Sequence, residues 1–180
     1  MHKIGRRDDF IVEQLGNKHD RSSFSCGIPA LDNYLRRQAS QDVVTHVAVC
    51  FVLTPNRTRV AGFYTLSQYS VELVGLPEQI ARKLPKCPQV PTTLLGRLAI
   101  DEKFRGQKVG EFLLLDALHR CWQQSKQIAS AAVVVDAKDE TARRFYEHFD
   151  FLSLPGVPDR LFLPMRTIEG LFKYSYSYPH

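Results

Sequence analysis

Thr92-Thr93-Leu94-Leu95-Gly96-Arg97-Leu98-Ala99-Ile100-Asp101 is apolar enough to be a buried strand and is interrupted once, at Gly96. A glycine inside a strand pattern marks a bulge or a close backbone approach. A short basic turn follows, Arg105-Gly106-Gln107-Lys108-Val109-Gly110. Beyond it a helical pattern runs to about Lys126, with Leu114, Ala117, Leu118 and Cys121 on its inner face. Ala129–Val135, ASAAVVV, is then a continuous buried strand. Strand, helix and strand from Leu94 to Val135 predict two parallel strands joined by a right-handed crossover.

On the N-terminal side, Asp9–Leu15 alternates around Phe10 and Val12 as a short first strand. Ser25 is a candidate cap for a helix through about Ser40, striped by Ile28, Leu31, Tyr34, Leu35 and Ala39. Val43–Leu53 and Val60–Val74, separated by the turn signal Thr54-Pro55-Asn56-Arg57, predict an antiparallel hairpin. Pro77–Leu84 suits a short helix, and Pro85, Pro88 and Pro91 an extended connection. On the C-terminal side, Asp139–Phe149 reads as a helix, and Phe151–Leu154 and Arg160–Met165 as closing strands. The expected class is mixed α/β, a central mixed sheet of six to seven strands flanked by helices. One domain over 1–180 is expected, with its core over about 9–173 and a short tail at 174–180.

Composition narrows the function classes. With 44% hydrophobic and 24% charged residues, the 180-residue chain has an ordinary globular composition. Its longest clean apolar run, Val47–Leu53, is far short of the roughly 20 residues a membrane helix needs. The basic start has no apolar segment behind it, so a signal peptide is not expected and a cytoplasmic location is. Cys26, Cys50, Cys87 and Cys121 lack the close spacing of a zinc knuckle or redox dithiol, so reduced structural thiols and no metal are expected. The net charge of +5 comes from nine basic against six acidic residues over 1–60, eight against six over 61–120 and seven against seven thereafter. That excess permits contact with a phosphate backbone without demanding it.

Two segments carry chemistry. A helix that begins at the Arg105–Gly110 turn offers unpaired backbone N–H groups and a positive dipole end, which suit a phosphate. The patterns of the nucleotide P-loop and the dinucleotide fingerprint are both absent. In the second segment, Ala142, Phe145, Tyr146 and Phe149 share one helix face. Tyr146 reads either as a core aromatic or as a phenol whose hydroxyl meets a ligand's leaving atom.

Together the segments resemble the GNAT superfamily of acyl-CoA-dependent N-acetyltransferases. Arg105 and Gly110 match its pyrophosphate loop, Q/R-x-x-G-x-G/A, with Lys108 in place of the first glycine. The Lys108 side chain then either adds charge near the pyrophosphate or crowds it. Ala142, Phe145, Tyr146 and Phe151 match A-x-x-F-Y-x-x-x-G-F, with Asp150 in place of the glycine, so the turn there is expected to differ slightly.

A narrower resemblance is to the GNAT toxins of bacterial toxin–antitoxin operons. It rests on Phe24-Ser25-Cys26-Gly27 through Leu31, Tyr34 and Leu35, on Gly62-Phe63-Tyr64-Thr65-Leu66, and on Pro91–Asp101. The resemblance implies acetyl-CoA as donor, the α-amino group of aminoacyl-tRNA as acceptor, blocked translation and a ribbon-helix-helix antitoxin. It implies Tyr146 as the acid, and Arg105, Gly106, Gln107, Lys108, Val109 and Gly110 as the cofactor loop. Backbone N–H groups of Leu98, Ala99 and Ile100 are the candidates to polarise the thioester carbonyl. Arg36, Arg37, Lys83, Lys86, Arg143 and Arg144 are candidate tRNA contacts, occurring as adjacent or near pairs. A homodimer is compatible with this reading, and no membrane partner is expected. Two alternatives stay open: a GNAT enzyme acting on a small amine or protein amino group, and a non-catalytic module whose cofactor loop Lys108 has impaired.

Overall fold

A computed structural model of the chain describes residues 10–72, 77–83 and 89–173. Seven strands form one sheet: β1 (Ile11–Gln14), β2 (Val49–Thr54), β3 (Gly62–Glu72), β4 (Gln89–Ile100), β5 (Ala132–Asp136), β6 (Leu152–Leu154) and β7 (Val157–Pro164). Their order across the sheet is β1-β2-β3-β4-β5-β7-β6. The expected hairpin is present, β2 and β3 pairing antiparallel from Val49↔Leu66 to Leu53↔Gly62. So is the parallel pair, β4 against β5 from Thr93↔Val133 to Leu95↔Val135. The helices are α1 (Pro29–Asn33), α2 (Ala39–Val44), α3 (Glu78–Ala81), α4 (Val109–Ser125), α5 (Glu140–His148) and α6 (Met165–Lys173), with a π-helical turn over Tyr34–Gln38. None is long and apolar enough to cross a membrane. The chain divides into two compact units, Met1–Leu66 with Arg97–Ala117, and Ser67–Gly96 with Leu118–His180.

The core of the first unit is built from the opening motif. Phe24, Cys26, Leu31, Tyr34, Leu35 and Ala39 are buried together with Cys50, Val52, Val60, Phe63 and Ala99. Phe24 meets Phe63 edge-on at 5.5 Å, and Tyr34 lies nearly parallel to Phe63 at 6.2 Å. Each such fully buried side chain contributes about 1.5–3 kcal/mol of transfer free energy. Burial pushes the thiols up, Cys26 to about 11 and Cys50 to about 12. In the second unit Cys121 likewise rises to about 12. All three are free, inert thiols; Cys87 lies outside the described residues.

Several boundaries differ from the sequence reading. The first helix starts at Pro29 with Ile28 as its N-cap and no side-chain cap. Ser25 is occupied elsewhere: its hydroxyl donates to Asp32 Oδ2 at 3.5 Å and its N–H to Asp101 Oδ2 at 3.1 Å. Val43 and Val44 end α2 rather than begin a strand, because His46 turns left-handed (φ 59°) and the chain closes back on Asp42. β4 begins at Gln89, which draws Pro91 into the strand; Pro85 and Pro88 lie outside the described residues. Met165 opens a helix instead of closing a strand, and Met165 and Ile168 are its buried side. Phe172 of that helix stacks on Trp122 at 5.8 Å.

In the first unit, β3 is held against α4 at two points on one strand face. A Cβ on Gly62 would lie 2.7 Å from Leu113 Cδ1 and 2.9 Å from the Ala99 carbonyl oxygen. Two residues along, the Tyr64 hydroxyl donates to Asp116 Oδ2 at 2.5 Å. Gly62→Ala should therefore cost about 1–3 kcal/mol, the usual penalty for overfilling a packed site. A urea-unfolding midpoint unchanged from wild type would refute this tight approach.

Candidate active site

The strand-to-helix turn is assembled from the end of β4. Asp101 is 2% exposed and receives backbone N–H groups from Ser25 and, at 2.9 Å, from Lys103, capping a 3-10 turn at Glu102–Phe104. Arg105 to Lys108 are all exposed. Gly106 is left-handed (φ 76°), with open space where a Cβ would stand. The Lys108 carbonyl accepts from Phe112 N–H at 3.1 Å, so Lys108 stands immediately before α4. The N–H groups of the first turn of that 17-residue helix have no intrahelical acceptor and face an uncrowded loop.

Lys108 has φ 58°, the left-handed conformation that glycine adopts most cheaply. The lysine thus holds a conformation that a glycine would adopt at lower cost. Its ammonium group has no acidic partner among the described residues. Arg105 is turned away from the loop. Its guanidinium donates to the Cys26 carbonyl at 2.5 Å and lies 3.7 Å from Glu102. Gly27 beside this contact is left-handed (φ 80°), the conformation that favours glycine, and Glu102 Oε1 lies 2.8 Å from where its Cβ would stand. Sequence reasoning missed the pairing of the Cys26-Gly27 corner with Arg105, since nothing local links positions 79 residues apart.

Leu98, Ala99 and Ile100 close β4. The parallel ladder to β5 ends at Leu95, next to the predicted interruption at Gly96. Past that point, N–H groups of β4 on that edge have no β5 partner in the ladder.

In the second unit, Tyr146 sits near the C-terminal end of α5, a helix capped at its start by Asp139 accepting from Ala142 N–H at 2.7 Å. The helix closes in a Schellman turn: Phe151 N–H reaches the Tyr146 carbonyl at 3.2 Å and Asp150 N–H the Glu147 carbonyl at 3.0 Å. Asp150 supplies the left-handed residue the motif requires (φ 65°), so the turn keeps the conformation a glycine would give it. The Tyr146 ring packs against Phe145 and Phe151, each at 5.3 Å. Tyr146 is 7% exposed, and its hydroxyl has no hydrogen-bond partner among the described residues. Loss of solvation pushes the phenol well above its ordinary value of 10.

The six candidate phosphate contacts differ in their freedom. Arg36 donates to the Phe24 carbonyl at 2.5 Å and so braces the first core. Arg37 and Lys83 are exposed and without ionic partners among the described residues. Arg144 pairs with Glu140 at 3.1 Å. Arg143 is bound by Ser153 at 3.0 Å and Glu147 at 3.5 Å. Lys86 lies outside the described residues. Arg36, Arg37, the turn and the end of β4 belong to the first unit; Tyr146, Lys83, Arg143 and Arg144 belong to the second.

Residues 63–159 match the acetyltransferase (GNAT) domain family. A tRNA-acetylating toxin of Mycobacterium tuberculosis is 40% identical over 158 residues, 88% of this chain and 93% of that protein. A solved structure of AtaT complexed with acetyl-methionyl-tRNAfMet superposes with a TM-score of 0.84 at 32% identity, over 91% of this chain and 99% of that one. A tyrosine-to-phenylalanine mutant of the AtaT toxin, bound to the C-terminus of the antitoxin AtaR and acetyl-CoA, gives 0.78 at 29% identity, over 92% and 99%.

Two outcomes follow from this geometry. Asp150→Gly should raise stability by up to about 1 kcal/mol, because it removes the side-chain cost of a left-handed residue; thermal unfolding measures it. The second concerns pH. An unfolded tyrosine ionises near 10 and folded Tyr146 only above that, so Tyr146 adds stability that is fully present below about pH 10 and lost as pH rises further. Tyr146→Phe should flatten that alkaline loss by up to about 1.4 kcal/mol per pH unit. Parallel alkaline denaturation curves for the two proteins would contradict it.

Proposed function

The chain belongs to the GNAT acetyltransferase family, and from that premise we propose that it transfers the acetyl group of acetyl-CoA to the α-amino group of aminoacyl-tRNA, as a translation-blocking toxin. The observation that carries the mechanism is Tyr146, a desolvated phenol with an unused hydroxyl. The kinship with a tRNA-acetylating toxin over most of both chains supports the choice of acceptor.

The exposed turn fits the cofactor, because the open space at Gly106 and the free N–H groups beginning α4 leave room for a pyrophosphate. Residues Arg105–Gly110 would hold that group, with Lys108 adding charge and the Arg105 side chain bracing the loop from behind. Acetyl-CoA supplies the acetyl as a thioester, already activated for transfer to nitrogen. Backbone N–H groups of Leu98, Ala99 and Ile100 are the donors for its carbonyl oxygen. An α-amino group titrates at about 7.7–8.0, so much of it is neutral at physiological pH and no strong base is required. As the C–N bond forms and the C–S bond breaks, the amine sheds a proton to solvent. Tyr146 gives its hydroxyl proton to the departing sulfur and recovers a proton from solvent, which has received the one shed by the amine. Burial holds the Tyr146 pKa above 10, so the phenol is fully protonated at neutral pH, although the shift makes it a weaker donor.

Arg37 and Lys83, whose charges are uncommitted, are the best placed of the six basic candidates for tRNA phosphates. A ribbon-helix-helix antitoxin and a homodimeric assembly belong to the same reading.

Tyr146→Phe should lower turnover by about 10²–10⁴-fold while leaving acetyl-CoA affinity nearly unchanged; wild-type turnover would reduce Tyr146 to a core aromatic. With radiolabelled acetyl-CoA, label should appear on charged tRNA. Label on free amines or protein N-termini alone would favour the small-amine or protein acetyltransferase, and absent cofactor binding a non-catalytic module. Arg37→Glu should weaken tRNA use at constant fold stability, whereas Arg36→Ala should first lower the melting temperature.

A further inference from the structure

Arg97 stands on β4 between the buried residues Leu95 and Ala99 and is itself half-buried. Alternation puts it on the same sheet face as Ala99, the face that packs the opening helical segment. Its guanidinium lies 3.6 Å from the centroid of the Tyr34 ring. That ring cannot drift. It lies nearly parallel to Phe63, and its hydroxyl donates to Asp42 Oδ2 at 2.9 Å.

The stacking leaves the chemistry of Arg97 unspent. Among the described residues no carboxylate, carbonyl or hydroxyl accepts from its guanidinium. A guanidinium has five N–H donors in a planar fork, and the Arg97 nitrogens keep some exposure, so the fork can be reached from solvent. Nor does it form an ion pair among the described residues: Asp42, at the hydroxyl end of the Tyr34 ring, accepts the Tyr34 hydroxyl, and Arg21 is anchored on Ser40 at 2.5 Å. A cation held over an aromatic ring with its donors free is suited to receive a planar or tetrahedral oxyanion.

We propose that Arg97, preoriented on Tyr34, binds a backbone phosphate of the RNA acceptor. The proposal rests on the aminoacyl-tRNA reading and adds to it a residue outside the basic pairs legible in the sequence. Phosphate is favoured over the carboxylates of an acidic protein segment because RNA presents such anions along its whole length.

The test is binding of a short single-stranded RNA ending in CCA, followed by fluorescence anisotropy across a salt series, with Arg97→Gln and Arg97→Lys beside wild type. Arg97→Gln should weaken binding about tenfold and make the log–log salt slope shallower by about 0.7, the value for one lost phosphate contact on a single strand. Arg97→Lys should keep the slope but recover only part of the affinity, since it keeps the charge and loses the fork. In wild-type protein, which avoids any folding defect, the Arg97 Nε resonance should shift on addition of RNA. Variants with wild-type affinity and slope, an unmoved resonance, or a resonance that answers only an acidic peptide would each overturn the proposal. Should wild type bind the RNA through Arg97 yet leave charged tRNA unlabelled by acetyl-CoA, the acetylation reading falls and the phosphate site stands. Labelled tRNA with an indifferent Arg97 is the reverse case.

Discussion

The carboxylate of Asp101 is the joint on which the first unit turns. It is almost wholly buried, a position that would be costly for an unpaired charge. Two backbone N–H donors compensate it, one from Ser25 and one from Lys103, while its own N–H bonds the Ala61 carbonyl at 2.9 Å. One residue therefore ties the opening segment, the start of β3 and the loop after β4 to the same point. The neighbouring contact of Glu102 N–H with the Ser25 carbonyl at 2.9 Å doubles the tie. Everything proposed for the cofactor loop depends on this junction, because it sets where the exposed turn leaves the sheet and where α4 begins.

The same unit shows why a motif shared with an enzyme family need not be made of contacting residues. Phe24, Cys26, Leu31, Tyr34 and Leu35 are packing, and Gly27 is a left-handed corner beside Glu102 and Arg105. Arg105, the side chain that most resembles a phosphate ligand in sequence, is spent on the Cys26 carbonyl. What the loop leaves open is its main chain, the group on which the proposed cofactor contact rests.

Lys108 and Asp150 make a related point from opposite ends of two helices. Both stand where the family pattern has glycine, and both adopt positive φ. The chain accepts a modest strain at each to preserve a backbone path. At Asp150 the path is the Schellman turn that delivers Phe151 onto the Tyr146 ring and the Tyr146 carbonyl. The position of the phenol is thus set by how its helix ends, and its elevated pKa by the aromatic packing that this ending produces.

Periodicity and turn chemistry were sufficient for the architecture: the hairpin, the parallel pair around α4, the helix carrying Tyr146 and the turn before Gly110 were legible because each is a local pattern of apolar spacing and breakers. Val43 and Val44 were misread as strand and Met165 as strand end because short apolar runs fit either period, and only the packing available decides between them. The long-range assignments were beyond the sequence altogether. The Ser25 N–H is taken by Asp101 and its hydroxyl by Asp32, the Arg36 guanidinium is tied to the Phe24 carbonyl while the residue stays exposed, and Arg97 lies over Tyr34 with its donors uncommitted. In the linear chain these are an ordinary serine and two ordinary arginines. What separates a brace from a binding group is which acceptor lies within reach of its donors, and that is decided by residues distant in sequence that meet only when the sheet and helices close around one core.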